Sequence, residues 1–532
     1  MEQTSHFFAA QLMLSGSLMN WRQSLKLAAV IAPFALAAGS ANALTLDWSG
    51  YFRASHDFVH DYQMNKAEPG YSNMGGQGED VPGEGNHNAT FSSLFMRLKP
   101  RVLVNDNIIL HSEWNVGDPV SGFFGRGVPN YDRNNFQSTS KDALSLTASR
   151  LWLDVHTDFG TVQVGRAPMD WGLGIVFNAG DRPFDRFQST SDTIRLVSKF
   201  GYLSLMPLYT KNAMGSSLAG ARDPLLGTVQ AGEDDVTDYG VGLRYDNPEE
   251  DLDAGVLYYK RNASSVQNSY YAPSNSATFV QGANDINLRL FDFYAKKEWH
   301  RFGLSAEVPI WSGEIGDVNG VGTHNTYKAA AAAVEASLKY DTWKHTLKAG
   351  TSPGQAPTTT GMRTSTFTAF QFHRAYKLGL ILFNYNLHGF GLANPDAVPN
   401  AAGGYTYPRT VSPYDAEITN AKYVMASTEK HWEQWGMNLG LIWAQANQSA
   451  SAGMDAYNHT THQWFTSVAD QQKNLGVEVD YGVRYNWDEN ISFGVDMGML
   501  FPGNYFKYIN NATQTSPANT VSAISATAAT VF

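Results

Sequence analysis

The chain has 532 residues, 48 of them glycine, no cysteine, and a formal net charge of −11. Charged residues make up 16% and aromatics 13%, whereas soluble globular chains carry about 25% charged residues. The missing cysteines exclude a disulfide scaffold and a thiolate metal site, the acidic balance argues against a nucleic-acid partner, and a slightly negative mean hydropathy excludes a bundle of membrane helices.

The chain opens with an address. Arg22 and Lys26 precede the apolar run 27–38, and Ser40-Ala41-Asn42-Ala43 places small residues where a signal peptidase cuts. Residues 1–43 are therefore expected to be a secretory signal peptide, cleaved after Ala43, and residues 44–532 the mature protein. Met19 stands at the usual distance before the basic residues, so residues 1–18 read as an over-extended start. A single helical anchor is the alternative, but about 12 apolar residues are too few to span a bilayer.

Beyond Leu44 the pattern changes to a period of two. In 474–490, Leu475, Val477, Val479, Tyr481, Val483, Tyr485 and Trp487 alternate with Gly476, Glu478, Asp480, Gly482, Arg484 and Asn486. One face of such a strand is apolar and the other small or charged. Thirteen residues suit a tilted membrane-crossing strand, which needs about 9–11, better than a soluble sandwich strand. The pattern recurs at 238–245, 334–340 and 491–497.

Two kinds of connection take turns along the chain. Short ones lie near 105–107, 157–160, 200–201, 246–248, 300–301, 341–343, 431–433 and 487–489, with the Asn, Asp, Gly and Pro content of tight hairpins. Long ones, such as 60–88, 118–143, 213–235 and 448–472, are rich in Gly, Asn, Ser and Pro. Eight short turns predict an all-β, antiparallel up-and-down transmembrane barrel of about 18 strands, within 16–20, with short periplasmic turns and long extracellular loops. The interval from 343 to 432 is too long: it holds either one very long loop, 352–417, or a missed hairpin near His373. Tyr245, Trp299, Phe302, Tyr340, Trp343, Trp432, Trp435 and Trp487 crowd the short-turn end, as an interfacial girdle would. The partners that follow are outer-membrane lipid and small polar solutes, with a homo-oligomer left open.

The chain ends on an alternating strand closed by Phe532. That ending resembles the assembly signal of Gram-negative outer-membrane barrels, and the whole mature chain resembles porin-like barrels in pattern. The resemblance implies the barrel-assembly machinery as a partner. GRAPMDWGLGIVFNAGD (165–181) is similar to a stretch of large outer-membrane proteins of predatory and myxobacterial-type bacteria, which implies a compartment and a fold but no substrate.

Positions between the apolar ones are expected to face the lumen. Around the wall they give a basic arc, Arg53, Arg97, Lys99, Arg101, Arg150, Arg195 and Lys199, and an acidic arc, Asp238, Asp292, Glu307, Glu335, Glu478, Asp480 and Asp496. Opposed arcs across a narrow pore make a transverse field. The resemblance to general porins implies the same arrangement. Alternatively, these charges only wet and brace the lumen. Asp47 and Asp154 fall on the basic side, and Arg244, Lys339, Lys348 and Arg484 on the acidic side.

Loop 168–189 is too apolar for a free surface loop, since Trp171, Leu173, Ile175, Val176, Phe177, Phe184 and Phe187 need burial. Folded inward, it would be a constriction carrying Asp170, Trp171, Asp181, Arg182, Asp185 and Arg186, and would bring its aspartates towards the arginines of strands 2 and 4. In porins the third loop has that role. A cap on the rim or a subunit contact is the alternative. A second apolar run, 376–383, reads as a lumen plug, a rim cover or the missed strands. Glu68, Glu79, Asp80 and Glu84 in the first long loop match no calcium-loop spacing and read as a solvated acidic loop.

No H-E-x-x-H, G-x-S-x-G or P-loop occurs, so no enzyme, cofactor or metal is called for. His56, His111 and His156 are expected near carboxylates at the lumen or its rims. The sequence thus leads to a passive channel for small polar solutes. The rivals are a substrate-specific or saccharide channel, with Tyr51, Tyr259 and Tyr294 as members of an aromatic track, and a closed barrel that binds partners through its loops.

Overall fold

The computed structural model describes residues 45–62, 64, 88–120, 146–213, 235–264, 286–315, 325–361, 364–385, 387, 398–399, 405–406, 414, 416–459, 463–508, 510 and 517–532. The signal region 1–43 and the first-loop acids Glu68, Glu79, Asp80 and Glu84 lie outside these residues.

The alternating segments form one closed sheet. Its strands are β1 (Thr45–His60), β2 (Ala89–Asn105), β3 (Ile108–Val116), β4 (Leu146–Thr157), β5 (Gly160–Pro168), β6 (Thr190–Phe200), β7 (Leu203–Ala213), β8 (Asp235–Asn247) and β9 (Leu252–Ser264). They continue with β10 (Ile286–Trp299), β11 (Phe302–Ile315), β12 (Thr326–Ala330, resumed as Ala332–Tyr340), β13 (Trp343–Ser352), β14 (Ala421–Trp432), β15 (Trp435–Ala446), β16 (Asn474–Asn486), β17 (Ile491–Pro502) and β18 (Val521–Val531). Each barrel strand pairs antiparallel with the next, and β18 pairs with β1 from Tyr51↔Val531 to His60↔Ser522, so 18 strands close without an edge. The backbone of Phe532 exchanges hydrogen bonds with Gly50 at 2.8 and 3.0 Å, extending that seam.

Eight connections at one end are short, running from Asp106-Asn107 between β2 and β3 to 487–490 between β16 and β17. Several put a residue in the left-handed region: Gly201, but also Asp251, His300, Asp341 and Glu433, a conformation that strains L-residues and is set by the tight reversal. The interval after β13 is one long connection, 353–420, whose described residues hold two-residue pairings and an isolated Gln371–Thr419 bridge but no further barrel strand. The missed-hairpin alternative therefore does not hold.

The outer face is apolar along its length. Leu205, Leu243, Val334, Leu347, Leu439, Leu441, Val479, Val495 and Met499 stand exposed on it. Exposure of so many large apolar side chains in water would be a severe liability, and a closed barrel with such a band is the architecture of a membrane span. All eight aromatics at the short-turn end are exposed as well. The core lies inside the barrel instead. Inward residues at the long-loop ends of the strands, among them Val59, Phe91, Tyr327, Ala444 and Leu475, pack against Phe370, Phe372, Ile381, Leu382 and Phe383 of the long connections.

Candidate functional site: a lumen crossed by two loops

Two connections fold into the barrel: loop 3 (169–189, between β5 and β6) and loop 7 (353–420, between β13 and β14). The apolar residues that make loop 3 unsuited to a surface explain its position. Trp171 packs with Met169, Leu208, Leu257, Tyr259 and Leu290 against the wall, and Ile175 joins the interior cluster. Gly242 and Gly255 leave room for the indole, since a Cβ on Gly255 would come within 2.9 Å of it.

The basic arc clamps one side of this loop. Arg53, Arg97 and Arg150 are at most 2% exposed. Arg53 donates to the carbonyls of Pro183 and Asp185, both at 2.9 Å, and of Pro119 at 2.6 Å. Arg97 donates to Gly180 O at 2.9 Å and to Asn115 at 3.1 Å, and its guanidinium lies against the rings of Tyr51 and Phe95. Arg150 reaches Ala179 O at 2.6 Å, Ser189 O at 3.0 Å, Thr190 at 3.0 Å, Glu113 at 3.1 Å and Asp181 at 3.3 Å. The planar fork of arginine donors suits this task of gripping several carbonyls at once. Lys99 completes the clamp through Asp181 at 2.9 Å.

The acidic arc holds the other side. Glu307 on β11 accepts the backbone N–H groups of Leu173 and Ile175. Loop 3 therefore bridges the lumen from β2 and β4 to β11. Among its own aspartates only Asp181 pairs with the basic arc. Asp170 accepts from Ala179 N at 3.1 Å, and the Asp185 side chain accepts from Arg182 N at 3.0 Å, so these two brace the loop itself. Burial raises the carboxyl of Asp185 above the ordinary carboxylate range, offset in part by the Arg182 N–H and by Arg182 and Arg53. Arg182 stands exposed at the loop tip, while Arg186 lies 3.5 Å over the ring of Tyr414.

Loop 7 is anchored in the same fashion. Its apolar run 376–383 turns inside the barrel, with Ile381 and Leu382 N–H donating to Glu478 at 2.7 and 2.6 Å and Leu380 N–H to Asp480 at 3.1 Å. Tyr376 donates to Glu335 at 2.9 Å, which also pairs with Lys348 at 2.9 Å. Tyr385 and Tyr414 both donate to Asp57 on β1, at 2.9 and 2.6 Å. The two loops meet where His373 N–H donates to Ile175 O at 2.8 Å and Arg374 lies over Phe187. Burial, reinforced by Arg374 and Lys377, pushes the imidazole of His373 down to about 4.

The remaining arc residues sort by height. Asp238 is enclosed and held by Arg261 at 3.0 Å and by the hydroxyl of Tyr259. Asp292 is enclosed too, and neither of its oxygens has a hydrogen-bond donor among the described residues. It sits two residues along β10, on the same face, from Tyr294, the register partner of Glu307. Arg195 is partly buried, with Met169 Sδ at 3.8 Å. Towards the short-turn end the lumen opens: Arg101 pairs with Asp47 at 2.6 Å in solvent, Lys199 is exposed, and Asp496 faces Arg484 at 3.7 Å. The barrel is thus filled by loops in its long-loop half and lined by accessible charge in its short-turn half.

Some expectations do not survive this geometry. Most of the enclosed charges hold loop backbone, which neither the field across a pore nor pairing across strands had as its premise. Tyr51 and Tyr259 are buried beneath Arg97 and against Asp238, so with Tyr294 they make no open aromatic track. His56 alternates outward, bonded to Ser92 at 2.7 Å, and His156 bonds Thr161; only His111 meets a carboxylate, Asp154 at 3.1 Å. The residues that sequence reading missed are the tyrosine pair on Asp57 and the loop 7 N–H groups on Glu478, whose partners lie some three hundred and one hundred residues away.

No protein-family model and no curated protein matches the chain. Solved structures with a similar arrangement include OccK2 (OpdF) of Pseudomonas aeruginosa, 7% identical over 91% of this chain and 98% of that one, with a TM-score of 0.44. OccK9 (OpdG) of the same organism is 10% identical over 91% and 99%, with a TM-score of 0.45. The anion-selective porin from Comamonas acidovorans is 9% identical over 92% and 100%, with a TM-score of 0.38. Likeness at this level assigns neither family nor substrate.

Proposed function

We propose that this protein is a porin-like channel of the Gram-negative outer membrane, passing small polar solutes by diffusion through a lumen narrowed by loops 3 and 7. The carrying observation is the bridge made by loop 3, held by Arg53, Arg97 and Arg150 on one wall and Glu307 on the other. A barrel of this size would otherwise hold a wide aqueous channel. Five buried loop-anchoring side chains, counting Glu478, are a costly way to fill a tube that serves no passage, because each buried charge must be compensated. The accessible pairs, Lys99–Asp181 at the loop 3 clamp and Arg484–Asp496 nearer the turn end, then supply the local selectivity, since charges beyond a Debye length of about 8–10 Å are screened.

The same reading takes residues 1–43 as a cleaved signal, Phe532 as the contact for the barrel-assembly machinery and the assembly into oligomers as open. The similarity of 165–181 to barrels of predatory bacteria adds no solute. Conductance of the purified full-length barrel in planar bilayers tests the proposal. Steady openings whose ion selectivity changes on deletion of 170–186 support it. Silence from folded protein, both intact and with that deletion, would overturn it and leave the surface-binding alternative.

A further inference from the structure

We infer that the outer wall of β12–β15 carries a binding site for an anionic phospholipid of the periplasmic leaflet, an inference that rests only on the membrane-spanning reading and not on conduction. A groove of about 520 Å³ lies on this wall, a volume in the range of small-ligand sites. Its floor is Ala426 and Thr428 on β14. Its sides are formed by Leu347 on β13 and by Leu439 and Leu441 on β15, with Ala336 and Leu338 of β12 beyond. The register explains the shape. Ala426 lies opposite Leu347 and Leu441, and Thr428 opposite His345 and Leu439, so short side chains run between tall ones along the strand.

The foot of the groove is cationic. Lys430, two residues below Thr428 on the same face, lies over the rings of Trp343 at 4.8 Å and Trp432 at 5.8 Å and has no ion pair among the described residues. Arg301, over the ring of Tyr340 at 4.7 Å, likewise lacks one. By alternation, Glu335 and Glu429 point inward, where they meet Lys348 and Lys344, and the outward positions of β12–β15 hold no carboxylate. A phosphate diester at the aromatic girdle would meet Lys430 directly, a placement that adds electrostatic attraction to apolar burial.

The length fits one leaflet. Lys430 lies four steps along β14 from Ala426, about 13 Å along the strand and about 10 Å of depth at a tilt of about 40°, within the about 15 Å of half a hydrocarbon core. A second copy of the chain is a poorer occupant, because the outward strand positions of this face offer cations and no acid to pair with a like face, Asp341 and Glu433 standing below them in the turns.

The test is native mass spectrometry of the full-length protein extracted in detergent and titrated with phosphatidylglycerol or with phosphatidylcholine of the same acyl chains. One phosphatidylglycerol should be retained in preference to phosphatidylcholine. K430Q should weaken it about fivefold, and A426F, which fills the groove, should abolish retention of that one molecule. Both variants are kept only if the barrel still resists unfolding in cold detergent; L205F, on a distant part of the same outer face, is the control for general lipid loss. Equal retention of both lipids, or retention unchanged in both variants, would overturn the inference. So would a change of oligomeric state in A426F with lipid binding intact, which would assign the groove to a second copy.

Discussion

Glu478 accepts the backbone N–H of Leu382 at 2.6 Å, and its other oxygen accepts that of Ile381 at 2.7 Å. Strand β16 thus grips loop 7 by main-chain atoms that any sequence would supply. A carboxyl group that takes two successive backbone N–H groups, one on each oxygen, fixes both the position and the orientation of the loop backbone. E478Q keeps one acceptor and is expected to weaken docking by about 1–2 kcal/mol. E478A leaves two enclosed N–H groups without acceptors, at about 1–3 kcal/mol each. Hydrogen exchange at 380–382 should then quicken by about 30-fold or more in E478A, with smaller changes in the strands, and single-channel current should become noisier. Unchanged exchange would mean that the interior apolar cluster and the bonds to Asp480, Glu335 and Asp57 hold the loop without Glu478.

Arg150 is the corresponding grip on loop 3. Its side chain is fully enclosed and shares Glu113 with Lys99, while its other donors reach the carbonyls of Ala179 and Ser189. R150M should release the loop and leave Glu113 only its longer contacts to Lys99 and Gln188, a loss towards the lower end of the about 3–5 kcal/mol seen when one partner of a buried pair is removed. R150K should recover little of it, because a single ammonium cannot span Glu113, Asp181 and two carbonyls. Limited proteolysis within 169–189 reports the release. Double substitution with E113Q should restore part of the protection, which a merely misfolded barrel would not show.

The strands, the closure and the inward placement of loop 3 were legible because each leaves a pattern in the sequence. Val477, Val479 and Tyr481 alternate because one face meets lipid, and Trp171 and Ile175 stand in a loop that cannot stay wet. The use made of the basic arc was not legible. Arg53 and Arg97 alternate inward as expected, but their partners are the carbonyls of Pro183, Asp185 and Gly180, and a carbonyl carries no signature of its residue. The docking of loop 7 was half visible. The apolar run 376–383 showed that something needed burial, yet its period does not distinguish a strand from a coil packed on Glu478. Asp57 and its two tyrosines had no local signal at all, being joined only by the closure of the barrel.

Loop 3 also depends on left-handed backbone at Gly172, Gly174 and Gly180, the first of which touches its anchor. Gly172 has φ +62, and a Cβ there would fall 2.5 Å from Glu307 Oε2. G172A therefore combines the left-handed penalty of about 1–2 kcal/mol with displacement of the carboxylate that holds Leu173 and Ile175. Gly361 provides the control: φ is +78 and no atom lies within 4 Å of an added Cβ. G361A should carry the backbone penalty alone and leave conductance unchanged, whereas G172A should alter both conductance and the exchange of 173–175. Equal effects of the two would show that Glu307 is dispensable as an anchor.

The contact between the two loops is expected to fail in acid. His373 is neutral in the docked state: Ala375 N–H donates to its Nδ1 at 3.1 Å, and Arg374 and Lys377 oppose a positive charge. Its docked value is about 4, against about 6.5 when loop 7 is free in water. A lowered histidine value stabilises docking fully above about pH 6.5. As pH falls from there towards 4 the undocked form binds the extra proton, and the contribution is lost; below 4 both forms are protonated and no further loss follows. With the ring partly exposed, the effect should not exceed about 2 kcal/mol. Exchange at 373–376 should therefore rise between pH 6.5 and 4, and H373Q, which takes no proton, should flatten that rise. A slope that survives in H373Q would move the acid response to the carboxylate anchors, Glu307, Glu478 and Asp480.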